Sequence, residues 1–219
     1  MAFPTHAGST SGDCAASATR TLTLPGSIAS GNLLLALHAG GTSGSATWPA
    51  GWTELFDTSA TQIAYRQCDG TEGASIDITY STTSRASVYQ VHLFTGGTFR
   101  NPEHARTSHS NTVAGDPPNL TPTWGASDIT WCAIDIHGSK GDSVAGVYPT
   151  NYSNNQLEYL STIETLGGGI QFATRNLNAS SENPGAYPIV NVAGGGVTVA
   201  IALNTAPSGL ARSFGIICG

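Results

Sequence analysis

Apolar residues in this chain recur either at every second position or in runs of about seven or fewer, and Gly, Pro, Asn or Ser closes each stretch. That spacing is the strongest constraint on the fold. An amphipathic helix needs apolar side chains three and four apart, whereas a half-buried strand needs only alternation between turn residues. Thr19 to Leu24 alternates and ends at Pro25-Gly26, and Leu33 to Ala39 is an apolar run suited to a strand covered on both faces. Thr61 to Gln67, Ser75 to Tyr80 and Ser87 to Thr95 follow, with Asp69-Gly70 placed as a tight turn between the first two. In these strands Ile63, Tyr65, Ile76, Ile78, Val88, Val91 and Leu93 are expected to face one core. Further strands are expected at Asp128 to Gly138, Leu157 to Ile163, Gly169 to Thr174 and Gly196 to Asn204, while Phe99 to Thr123 reads as a long surface loop.

About ten short strands without intervening helices predict an all-β fold, a two-sheet antiparallel sandwich of jelly-roll type. The predicted organisation is an N-terminal arm over 1–18, a single sandwich domain over 19–204 and a C-terminal tail over 205–219. A length of 219 residues suits one large β domain. Only 10% of residues are charged, yet β-branched and aromatic residues are plentiful, so low charge does not mean disorder.

Charge also bounds the partners. The formal net charge is −6, and the single lysine and seven arginines are scattered, so no basic stripe exists to neutralise phosphates. Nucleic acid is not an expected partner. Membrane insertion is not expected either, because a spanning helix needs roughly 20 apolar residues. Residues 1–8 have neither a basic nor an apolar leader segment, so synthesis without a secretory signal is expected. Cys14, Cys68, Cys132 and Cys218 lack the close pairing of zinc sites and read as buried free thiols, with a Cys14–Cys218 staple as the alternative.

The search for chemistry returns little. A nucleophile elbow is missing, since Gly41-Thr42-Ser43-Gly44 has the wrong spacing, and no motif pairs any two of Glu54, Glu72, Glu158, Glu164 and Glu182. The triplets Gly167-Gly168-Gly169 and Gly194-Gly195-Gly196 lack the Lys-Ser/Thr ending of a phosphate loop and read as turns or bulges. His104 and His109 beside Glu103 and Asp116 form the best local collection of metal-ligand types, without a framework that fixes their spacing. Asp135 and His137, two apart on one strand, share a face and could pair. The expectation is therefore no enzyme, no catalytic residues, no metal and no cofactor. The Tyr148-Pro149-Thr150-Asn151-Tyr152-Ser153-Asn154-Asn155 loop has the composition of a sugar-binding surface or of a plain polar turn.

One segment carries a resemblance. Leu24-Pro25-Gly26-Ser27-Ile28 leads into Gly31-Asn32-Leu33-Leu34-Leu35-Ala36, then Trp48-Pro49-Ala50-Gly51-Trp52-Thr53, Ile63-Ala64-Tyr65-Arg66 and Val91-His92-Leu93-Phe94-Thr95-Gly96-Gly97. This layout, about a third of the chain, resembles a β-sandwich module of tailed-bacteriophage virion proteins. The resemblance implies a capsid decoration (cement) protein, a head spike or a tail appendage at the virion surface, made in the host cytoplasm. It implies partners among the major capsid protein and other virion subunits, and a small homo-oligomer such as a trimer. Phe3 and the apolar tail residues Leu210, Phe214, Ile216 and Ile217 are the expected intersubunit contacts. The alternative it leaves open is an adhesin that binds host-surface glycan through Trp48, Tyr148, Asn151, Tyr152 and Asn154.

Overall fold

The computed structural model describes residues 2–40, 45–58, 60–81, 86–109, 115–137, 147–153, 159–160, 168–187 and 196–206, the side chains of 159–160 excepted. In chain order the strands are β1 (Thr5–Cys14), β2 (Thr19–Thr23), β3 (Leu33–Gly40), β4 (Ala46–Thr47), β5 (Thr53–Thr58), β6 (Thr61–Gln67) and β7 (Ser75–Tyr80). There follow β8 (Ser87–Thr95), β9 (Glu103–His109), β10 (Ser127–His137), β11 (Tyr159–Leu160), β12 (Gly169–Ala179) and β13 (Gly196–Leu203). Among the described residues there is no helix, and so none long and apolar enough to cross a membrane.

The fold is an all-β antiparallel sandwich, with three sheets where two were expected. The orders are β1-β8-β3-β6-β5, β11-β12-β10-β13-β9 and β2-β7-β4. Two apolar cores place the first sheet in the middle. Leu33, Leu35, Leu37 and Ala39 of β3 meet Ile134 and Ile136 of β10, Ile170 and Phe172 of β12 and Val199 and Ile201 of β13. From the opposite face of β3, Leu34 and Ala36 meet Leu22 of β2 and Ile78 and Tyr80 of β7. Because β3 is covered on both sides, all eight of its residues are buried, and each fully buried leucine contributes about 2 kcal/mol. β8 is split in the same way: Val88 and Phe94 face the first core, and Tyr89, Val91 and Leu93 the second. The single core expected for Val88, Val91 and Leu93 is therefore two cores.

Connectivity also departs from the sequence reading. β6 does not pair with β7; it joins β3 and β5 in the middle sheet, while β7 joins β2 and β4. The Asp69-Gly70 segment is the crossing between layers. There Gly70 has φ 91°, and Glu72 accepts hydrogen bonds from the Asp69 and Gly70 N–H groups and from Arg66. Within the expected N-terminal arm, residues 5–14 form β1, paired along its length with β8. The expected Phe99 to Thr123 loop contains β9, an edge strand on β13.

A third apolar cluster lies on the outer face of the second sheet. Trp131, Ala133, Ala173 and Ala200 are covered there by Leu120, Tyr152 and Tyr187 from the connecting segments. The cover is pinned by main-chain bonds, among them Tyr187 N–H to the Gly115 carbonyl and Ser153 N–H to the Thr174 carbonyl.

Candidate functional site

Beneath that cover sits a polar cluster that two registers bring together. His109, Gly196, His137 and Gly169 form one row across β9, β13, β10 and β12, and Thr107, Thr198, Asp135 and Gln171 form the row beside it. Residues paired across antiparallel strands point to the same face, so these side chains converge. Gly196 has no side chain, and the imidazoles of the strands on either side meet over it, their ring centroids 5.1 Å apart. A Cβ at position 196 would lie 2.5 Å from His109 Nε2, and one at Gly115, which crosses above, would lie 2.8 Å from the Asp135 carboxylate.

Asp135 links the two histidines. Its Oδ1 is 3.0 Å from His109 Nε2 and its Oδ2 is 2.8 Å from His137 Nε2, and the three side chains are only 2–4% exposed. Burial pushes the Asp135 carboxyl up, but hydrogen bonds from His109 and His137 outweigh it and hold the group below the usual carboxylate range. The sequence pair Asp135–His137 is thus observed, with His109 as its unforeseen third member. His104 is not part of it. Odd and even positions of β9 face opposite ways, and His104 lies against Phe56. Glu103 bonds Thr123, and Asp116 is exposed with only its carbonyl engaged, by Thr198. The His104/His109/Glu103/Asp116 collection is therefore dispersed.

A second buried network lies between the middle and third sheets. His38 Nε2 accepts from Arg20 (3.0 Å) and from Ser87 Oγ (2.7 Å), and its Nδ1–H is 2.8 Å from Gln62 Oε1. Arg20 cannot accept, so the ring must carry its proton on Nδ1. Burial and the adjacent guanidinium push the His38 pKa down to about 3.

A groove of about 510 Å³ opens where the start of β1 meets the outer sheet. His6, Thr130, Asn151, Tyr152, Arg175 and Asn176 line it. A relay of hydrogen bonds orients His6. Gln90 donates to the Ile170 carbonyl, so its oxygen accepts from His92 Nε2–H, and His92 Nδ1 accepts from His6 Nε2–H at 3.1 Å. His92, stacked on Phe172 at 3.7 Å, is held well below the ordinary histidine range by burial and by the neighbouring His6.

No protein-family model, no curated protein and no solved structure matches this chain.

Of the expected glycan-binding residues, Asn151 and Tyr152 line the groove, but Tyr152 is buried, with its hydroxyl toward Glu182. Asn151 is exposed and holds φ 70°, which Asn tolerates, in a turn closed by Tyr152 N–H and the Pro149 carbonyl. Tyr148 packs edge-on against Tyr187. Trp48 is distant from these residues, stacked on Trp52 at 5.6 Å over the core between the middle and third sheets. Asn154 lies outside the described residues, as do Leu210, Phe214, Ile216 and Ile217. Phe3 is half-buried just before β1. Of the acids weighed for glycoside chemistry, Glu72 is tied to Arg66 and Glu182 to Arg175, while Glu158 and Glu164 lie outside the described residues. Cys14, Cys68 and Cys132 are buried free thiols, and Cys218 lies outside the described residues.

Proposed function

We propose that this chain is a structural surface protein of a tailed-phage virion, a capsid decoration protein that assembles by protein–protein contacts. One observation carries the reading: the residues of the phage-like layout are framework positions. Gly31, at φ 87°, donates to the Cys68 carbonyl and turns the chain into β3, and Gly51, at φ 86°, turns between the stacked Trp48 and Trp52. The layout contributes β3, β6 and β8 of the middle sheet, and its conspicuous residues are spent on packing. The described arginines fit the same reading, because Arg66 and Arg175 are paired with acids and Arg100 and Arg106 lie over Trp124 and Phe56. Such a surface has little to offer a phosphate backbone.

The test is binding of the purified chain to phage particles that lack it. Saturable binding to heads is the expected result. Binding to isolated tails or to host cells, with none to heads, overturns the assignment.

The groove favours a second reading, an adhesin for host-surface glycan, because Asn151, Arg175 and Asn176 offer amide and guanidinium groups on one concave surface. A glycan array decides it. Saturable binding lost in Asn151→Ala and Asn176→Ala supports the adhesin, and silence across the array rejects it.

A further inference from the structure

The His109–Asp135–His137 cluster goes beyond either reading. We propose that His109, Asp135 and His137 form a binding site for a divalent transition-metal ion of the zinc class, clamping the edge strand β9 to β10 across Gly196.

Two imidazoles and one carboxylate each offer a ligand atom, and these atoms all lie within 4.8 Å of one another. The nitrogen–oxygen separations of 3.0 and 2.8 Å are hydrogen-bond distances, and an ion bound here would replace the two Nε2 protons. Ligand atoms about 2.1 Å from a tetrahedral ion lie about 3.4 Å apart, so each pair has to open by only about half an ångström to admit one. Mixed nitrogen and oxygen ligands suit Zn²⁺ or Co²⁺, whereas Ca²⁺ and Mg²⁺ require oxygen.

A separate observation points to something missing from the centre. Gln171, paired with Asp135 across β10 and β12, is 1% exposed, and its Oε1 has no hydrogen-bond partner. Buried lone pairs left unsatisfied are costly. A cation beside Asp135 gives the Gln171 oxygen a positive neighbour, directly or through a metal-bound water. The surroundings are also shaped for the cluster, since Gly115 and Gly196 leave no room for a Cβ.

The experiment strips the full-length protein with a chelator and titrates it with Zn²⁺ against a chromophoric competitor, then with Co²⁺ followed by visible absorption. One equivalent per chain is expected, with cobalt d–d bands, no thiolate-to-cobalt charge-transfer band and a higher unfolding midpoint in the loaded protein. Asp135→Asn and His109→Gln should each weaken binding by at least about a hundredfold. His109 is on an edge strand, so its variant keeps the test open where Asp135→Asn does not fold. Three results overturn the site: no stoichiometric uptake by the wild-type chain, a thiolate signature that moves binding to cysteine, or affinity unchanged in a folded variant.

Discussion

Acidification below about pH 6.5 should destabilise this protein through His38, by an amount the structure sets. Its folded pKa is about 3 against an ordinary value of 6.5, because burial and Arg20 disfavour the imidazolium. Between those values the unfolded chain binds a proton that the folded chain refuses, so stability falls as pH falls, by up to about 1.4 kcal/mol per unit. At about pH 5 the loss from His38 alone is about 2 kcal/mol, and across the whole window about 5 kcal/mol. His92, also held below its ordinary value, adds a loss of the same sign. Urea unfolding followed by tryptophan fluorescence at about pH 7.5, 6 and 5 measures the slope, in the wild type and in His38→Gln. The variant loses stability at every pH but no longer titrates at this position. From about pH 7.5 to 5 it should therefore lose about 2 kcal/mol less than the wild type. Parallel pH profiles for the two proteins would refute the reasoning.

Other outcomes follow from packing and thiol burial. Gly196→Ala places a Cβ 2.5 Å from the Ile136 carbonyl as well as from His109. Main chain cannot yield as a side chain can, so a loss of about 1–3 kcal/mol is expected in urea unfolding; an unchanged midpoint contradicts the close approach. Cys14, Cys68 and Cys132 are buried, and burial raises the pKa of all three thiols. In a Cys218→Ser variant the native protein should be silent to a thiol-specific chromogenic reagent, and urea should release three equivalents. Rapid labelling before unfolding counts against the buried positions.

The central strands were legible in the sequence, and of the edge strands only β2 and β11 were. β6, β7 and β8 lie where alternation put them, β3 runs one residue beyond the expected Leu33 to Ala39, and β13 stops one residue short of the expected Gly196 to Asn204. The strands that went unread, β1, β4, β5 and β9, all lie at sheet edges. A strand with one side in solvent needs few apolar residues, and β1 (Thr-His-Ala-Gly-Ser-Thr-Ser-Gly-Asp-Cys) and β9 (Glu-His-Ala-Arg-Thr-Ser-His) carry almost none. With β9 taken for a loop, the alternation that separates His104 from His109 was hidden. Two of the three members of the buried cluster were visible as Asp135-x-His137. The room for the third, His109, was encoded in the second glycine triplet, whose last member, Gly196, pairs with both His137 and His109. Arg20 went unread, although it shares its face of β2 with Leu22 and the structure buries both.

The middle sheet imposes an order on synthesis. β1 can pair only after β8 has been made, some 80 residues later, and the first core closes only when β13 supplies Val199 and Ile201. Until then β10 and β12 cover the apolar face of β3 and β8 only in part. Assembly that depends on such distant partners is slow, and nascent chains paused before β13 are its aggregation-prone species. Once β13 is in place, both faces of the middle sheet are closed, one against β2 and β7 from early in the sequence and the other against β10, β12 and β13 from late in it.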